Sequence, residues 1–218
     1  MYPKFDVSKI KLKPLRERKH DTLLGDLKAL ECTSPMASAD LDQIAGQIIE
    51  ARKRGSAVIV LMGAHVIKVG MSRFIIDLME RGYINHLGLN GAGVIHDYEL
   101  ALVGGTSESV QRYISTGQFG LWQETGQIND VVKEGVSQGL GVGEAVGKAI
   151  WEGEFPHKDV SVLAAGYRLR VPVTVHVSIG QDIIHGHPNV DGASWGPAAT
   201  RTFSFLPRAC GSLRGACS

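Results

Sequence analysis

The sequence predicts an α/β fold, a Rossmann-like parallel sheet with helices on both faces, and three observations predict it. Ala57 to Met62 and Ile84 to Leu89 are short apolar runs of strand length. Each closes on a glycine-bearing turn, Gly63-Ala64-His65 and Asn90-Gly91-Ala92-Gly93. Between them, Ser72 to Gly82 sets Phe74, Leu78 and Met79 in one stripe, with Ile75 beside it, against Arg73, Asp77, Glu80 and Arg81, the pattern of an amphipathic helix. Ser72 is placed to cap it and Gly82 to stop it. An apolar strand covered on both faces, then a helix, then a second strand, is how parallel neighbours are joined.

The other elements follow in order. Residues 1–39 read as an N-terminal arm and a short helix. The arm carries Lys4, Lys9, Lys11, Lys13, Arg16, Arg18 and Lys19, broken by Pro3 and Pro14; it is either a clasp on a neighbour or on its own domain, or a solvated tail. Leu23 to Leu30 is the short helix, and Thr33 to Ser38 a loop. Residues 40–200 form the Rossmann-like domain. Ser38 or Asp40 caps a helix through Arg54 with Leu41, Ile44, Ala45, Ile48 and Ile49 on one face, which predicts burial of that face. Helices are predicted over Val94 to Val103, Ser109 to Tyr113, Ile128 to Val136, Glu144 to Trp151 and Val160 to Arg168. Val171 to Val177 alternates as a strand, with Pro172 at its start where proline is tolerated. Residues 201–218, with three arginines, no acid and no apolar period, read as a disordered or aberrant tail.

Composition narrows the classes. The 218 residues can bury a sizeable core. The 23 basic and 22 acidic residues nearly balance, so nothing favours nucleic acid or an anionic membrane. No run approaches the roughly 18 apolar residues of a membrane span, and the basic N-terminus has no apolar signal core. A cytoplasmic location is expected. Cys32, Cys210 and Cys217 form no metal pattern and suit free thiols.

In open α/β sheets the ligand lies beyond the carboxyl ends of the strands. Gly63, Ala64, His65, Asn90, Gly91, Ala92 and Gly93 fall there and are the candidate cofactor contacts. Small residues let backbone N–H groups approach a phosphate or ribose, and a following helix N-terminus favours negative charge; a tight turn with no ligand is the plainer alternative. Asp97 is the candidate acid for a ribose or for capping a helix. His65 and His96 face the first two turns, and Lys68 suits either a pyrophosphate or the surface. A third polar turn, Gly180 to Pro188, follows the Val171–Val177 strand. In it Asp182, with His185 beside it, is the candidate for holding a cationic substrate. His185 and His187 also offer a zinc alternative, because side chains two apart in a strand share a face. Trp122, Trp151 and Trp195 read as packing anchors.

With these turns in place, the chain resembles the deoxyhypusine synthase family, in its prokaryotic deoxyhypusine-synthase-like branch. The resemblance rests on VIVLMGAHVIKVGMSRFIIDLMERG (58–82), LNGAGVIHDYELALVGGTSE (89–108), STGQFGLWQETGQIND (115–130) and SVLAAGYRLRVPVTVHVSIGQDIIHGHPNVDGA (161–193). It implies a domain that binds NAD in a homotetramer. It further implies transfer of the aminobutyl group of spermidine to an amine or a protein lysine, through an enzyme lysine that carries the group as an imine. In the family that lysine follows Ser-Trp-Gly. Here Ser194-Trp195-Gly196 precedes Pro197, and no lysine follows Lys158. The chain therefore reads as ending before the catalytic-lysine segment and its half of the sheet, and no catalytic residue is assigned. Two other functions stand beside transfer: a metal-dependent hydrolase using His185 and His187, and a non-catalytic NAD-binding or scaffold subunit.

Overall fold

The computed structural model describes residues 2–31 and 37–210, with side chains as far as Thr202. In chain order the elements are β1 (Thr22–Leu23), α1 (Ala39–Lys53), β2 (Ile59–Met62), α2 (His65–Lys68), α3 (Ser72–Glu80), β3 (His86–Asn90), α4 (Gly91–Val103), β4 (Gly105–Thr106), α5 (Val110–Ile114), α6 (Gln123–Ser137), α7 (Val142–Glu152), α8 (Val162–Leu169), β5 (Val173–His176) and α9 (Gly192–Cys210). β2, β3 and β5 form a parallel sheet in the order β2-β3-β5, with Leu61 opposite Gly88 and Gly88 opposite Thr174. β1 and β4 pair antiparallel in a separate ribbon. The architecture is the α/β Rossmann-like fold expected. No helix among the described residues is long and apolar enough to cross a membrane.

Alternation along the strands gives the sheet two unlike faces. Leu87, Leu89, Val173 and Val175 face the core. There they meet Val94, Ile95 and Tyr98 of α4, Val142 and Val146 of α7, and Leu163 and Ala164 of α8. The other face carries His86, Gly88 and Asn90 beside Thr174 and His176. His86 Nε2 lies 3.0 Å from Thr174 Oγ1, which lies 3.2 Å from His176 Nε2.

Several expectations change. The strand covered on both faces is β3, buried from His86 to Leu89; β2 is an edge strand, and Leu61 is 70% exposed. The second glycine turn is no loop, because Gly91 to Gly93 already form the first turn of α4. Asn90 accounts for that early start, since its side chain accepts from Gly93 N and so satisfies an end-of-helix donor. Leu23 to Leu30 is not a helix. Leu23 pairs with Gly105, its N–H is taken by Asp26 Oδ2 at 2.8 Å, and only a single 3-10 turn, Leu24–Asp26, follows. α6 starts five residues before its predicted first residue, Ile128, because Trp122 is buried against Glu108 and carries the chain straight into the helix.

The predicted apolar stripe of α1 exists, yet it faces away from the core. Leu41 is 47% and Ile44 51% exposed. The arm behaves oppositely: Leu15 and Arg18 are buried, and Lys13 bridges to Trp122, so the arm clasps its own domain. α9 runs past residue 201 to Cys210. Cys32, most of the predicted loop at 33–38, and residues 211–218 with Cys217 lie outside the described residues.

Candidate functional site

Parallel strands present their carboxyl ends on one rim, and the three turns converge there. Asn90 holds two of them together. Its Oδ1 accepts from Gly93 N at 3.1 Å, capping α4, and from Ala64 N at 3.1 Å, fixing the turn after β2. Beside it lies a cavity of about 390 Å3 lined by Leu61, Met62, Gly63, Gly88, Leu89, Asn90 and His176. Gly63 opens onto free space, where a Cβ would meet nothing within 4 Å. Gly88 has no such room, because a Cβ there would come within 2.5 Å of Leu61 and 3.5 Å of His176 Nε2.

The third turn reaches the same place. A Cβ on Gly91 would stand 1.9 Å from Asp182 Oδ2, so the Asp182 carboxylate lies directly against the first turn of α4. Burial raises its pKa, opposed by the nearby His185. The rim thus combines backbone amides at a helix start, one glycine, Gly63, that leaves room for a ligand, an acceptor carboxylate and an apolar wall. That set suits a nucleotide, with amides for phosphate oxygens and a carboxylate for sugar hydroxyls.

The remaining predicted residues separate. Ala64 is buried, and His65 is exposed at the start of α2. Ala92 is half-buried. Asp97 does not reach the rim: it is fully buried and caps α8, accepting from Ser161 Oγ, Val162 N at 2.8 Å and Leu163 N at 3.0 Å. Burial pushes its pKa up to about 6 against the pull of those bonds. His185 turns its Nδ1 to Gly180 N and Asp182 N, each at 3.2 Å, and packs edge-on to Trp195. His187 is buried, with Nε2 2.7 Å from Gly120 O. The expectation that His185 and His187 share a strand face is therefore corrected. Residues Ile183–Gly186 form a 3-10 turn, the two rings go to different partners, and no metal-holding group of three exists among the described residues.

A second polar assembly lies one turn further along α4, and sequence reading missed it. Arg18 of the arm forks onto Glu99, Nη1 to Oε1 at 2.9 Å and Nη2 to Oε2 at 2.6 Å. Glu99 also accepts from Thr106 Oγ1 and Thr125 Oγ1, each at 2.6 Å. His96 Nδ1 lies 2.7 Å from Thr106 Oγ1. Glu108 takes Gly120 N and Trp122 Nε1, both at 2.9 Å. Between Thr106 and Glu108, Ser107 holds a φ of 63°, a left-handed conformation that costs a non-glycine residue free energy. Gly88 had a sequence signal, since glycine inside a strand marks close approach. Arg18 and Glu99 had none, being 81 residues apart.

A larger cavity of about 560 Å3 opens beside the amino end of β5, bordered by Glu144, Trp151, Tyr167, Arg168 and Pro172. Two of its polar groups are already engaged, Arg168 with Glu80 and Tyr167 with Glu152. The strand-end rim is the better candidate because the parallel strands aim their turns there.

A family model described as arginine dihydrolase ArgZ-like, C-terminal, Rossmann fold, matches residues 42–158. No curated protein sequence matches the chain significantly. Among solved structures, unliganded AgrE is similar with a TM-score of 0.51 at 18% identity, over 84% of this chain and 24% of that one. Apo ArgZ, an arginine dihydrolase from the ornithine-ammonia cycle in cyanobacteria, has a TM-score of 0.50 at 20% identity, over 81% and 23%. An AgrE variant in complex with L-arginine has a TM-score of 0.50 at 16% identity, over 82% and 24%. The chain thus spans about a quarter of the length of these structures, and identities this low show the fold alone. The family match overturns the resemblance to deoxyhypusine synthase, and with it aminobutyl transfer, spermidine and lysine modification. The first two motifs that carried that resemblance, 58–82 and 89–108, lie in strand-turn-helix units, which different Rossmann families share. The metal-hydrolase and scaffold alternatives gain no match either.

Proposed function

The chain belongs to the family of ArgZ-like arginine dihydrolase C-terminal Rossmann domains, and from that premise we propose that it binds NAD at the strand-end rim and serves a step on arginine or an amino acid derived from it. One observation carries this reading: Asn90 ties the turns after β2 and β3 into one frame while Gly63 leaves free space beside it.

Gly63 would let the backbone approach the dinucleotide, and Asp182, against the first turn of α4, would accept from ribose hydroxyls. Leu61, Met62 and Leu89 supply an apolar wall. NAD, when bound, takes up a hydride. The substrate class is argued from the relatives: ArgZ is an arginine dihydrolase and AgrE has been crystallised with L-arginine.

Calorimetric titration with NAD tests the reading, with Gly63→Val as the variant. The new side chain enters open space, so the thermal midpoint should stay unchanged while binding is lost. Gly91→Val and Gly93→Val are poorer choices, since side chains there would strike Asp182, or Leu89 and Asn90. A folded wild-type chain that binds no NAD sinks the proposal, and so does a Gly63→Val chain that binds as well as wild type.

A further inference from the structure

We propose that His96 is a proton acceptor, held in one tautomer by a buried relay through Thr106 and Glu99 to Arg18, and that it takes a proton from an amine or hydroxyl of the substrate. The relay stands on geometry alone; only the identity of the substrate that delivers the proton rests on the proposed function.

The direction of each hydrogen bond follows from what the groups can do. Arg18 only donates, and it fills both oxygens of Glu99. The Glu99 carboxylate, forked to a guanidinium, only accepts. The Thr106 hydroxyl therefore spends its one hydrogen on Glu99 at 2.6 Å. Its oxygen must then accept from His96, 2.7 Å away. That places the imidazole hydrogen on Nδ1 and leaves Nε2 with a lone pair. Nε2 makes no hydrogen bond to the described residues, and the ring is only partly buried.

Anchoring the arm accounts for Arg18, Glu99, Thr106 and Thr125, all buried. It does not require an imidazole at the outer end. His96 stands one helical turn after Gly93 on α4, and His65, at the start of α2 after the first rim turn, lies near enough to act on it electrostatically, although His96 does not line the 390 Å3 cavity. Strained Ser107 sits between Thr106 and Glu108, as expected where a site is held in a fixed shape. The proton balance closes: the substrate N–H or O–H bond breaks, its electron pair stays on the substrate, and Nε2 gains the proton. The resulting imidazolium is compensated through Thr106 by Glu99, as an orienting carboxylate does for a histidine base.

The charged groups facing His96 are Glu99, which favours the charged ring, and Lys68, Arg18 and His65, which oppose it. Burial is the largest influence, and together these lower its pKa. The ring is thereby kept neutral near pH 7, as a proton acceptor needs to be.

Two measurements on the full chain without cofactor test the inference. Long-range nitrogen–proton correlation of labelled imidazoles, with His96→Gln for assignment, should show His96 as the Nδ1–H tautomer. Thr106→Val should abolish that single tautomer, and Thr106→Ser, which keeps the hydroxyl, should restore it. Diethyl pyrocarbonate at neutral pH should modify His96 while buried His187 stays unmodified. A wild-type His96 found as the Nε2–H tautomer, or as imidazolium at neutral pH, overturns the relay. Absence of modification at His96 overturns its access to substrate. Neither result depends on NAD binding, so a chain that binds no NAD yet passes both tests sinks only the nucleotide reading.

Discussion

The arm before β1 and helix α1 make opposite use of opposite sequence patterns. The arm is basic and broken by prolines, which reads as solvated chain, yet Leu15 and Arg18 are buried. α1 carries a proper apolar stripe, which reads as core-facing, yet Leu41, Ile44 and Ile49 stand exposed. The difference lies in what each can reach. The arm finds a buried carboxylate pair, Glu99 and Glu108, that needs a cation. α1 precedes edge strand β2, and among the described residues no further strand presents a surface for its stripe. Periodicity says which face of a helix is apolar; it does not say that a partner exists.

The largest expected effect tests the arm. Arg18→Met keeps the aliphatic stem and removes the cation, leaving Glu99 buried with no charge partner. Breaking one side of a buried pair costs about 3–5 kcal/mol, read as a drop in the urea midpoint. Replacing both partners, Arg18→Met with Glu99→Met, should recover much of that loss, because the stranded charge is gone. A single variant within about 0.5 kcal/mol of wild type, the range of ordinary surface changes, would return the arm to the solvated tail its sequence suggests.

A smaller effect comes from pH. Arg18 Nε and Nη2 lie 3.3 and 3.1 Å from His20 Nδ1, so that nitrogen must accept, and the ring must be neutral for it to do so. Burial and then Arg18 lower the His20 pKa, against the opposite pull of Glu99 and Asp21. A group with a folded pKa below its unfolded value binds fewer protons folded than unfolded. Its stabilising contribution is then full above the unfolded value of about 6.5 and is lost as pH falls through the folded one. Tryptic cleavage within the arm, at Arg16 or Lys19, should therefore quicken as pH falls below that value. His20→Gln, which can still accept from Arg18 but cannot titrate, should flatten the dependence. A profile identical in wild type and variant would remove His20 from the attachment of the arm.

The same contrast shows what could be read beforehand. β2, α3, β3, α4 and β5 were legible because each is a local pattern, an apolar run or a helical stripe closed by glycine. The turn after β2 was legible for the same reason, down to Gly63, and so was the end of β3 at Asn90, whereas Gly91 to Gly93 belong to α4 and not to a turn. The Arg18–Glu99–Thr106–His96 chain was not, because its members come from three separate segments and no period links them. Asp97 was legible as an acid near a helix start, but the helix it caps is α8, 64 residues on from it. His185 and His187 failed as a pair because the turn that carries them closes into a 3-10 helix, Ile183–Gly186, and not into extended chain.

The smallest effect completes the comparison on the side of α1. Ile44→Asp puts a charge in the middle of the apolar stripe. If the stripe truly faces water, the change is a surface substitution, with an expected cost within about 0.5 kcal/mol apart from a minor loss of helix propensity. The same replacement on a core-facing helix would bury an unpaired carboxylate and cost several times more. The thermal midpoints of Ile44→Asp and Arg18→Met, measured side by side, therefore rank the two segments directly. A large loss at Ile44 would mean that α1 has a partner surface in solution, and that the amphipathic pattern was a sound guide after all.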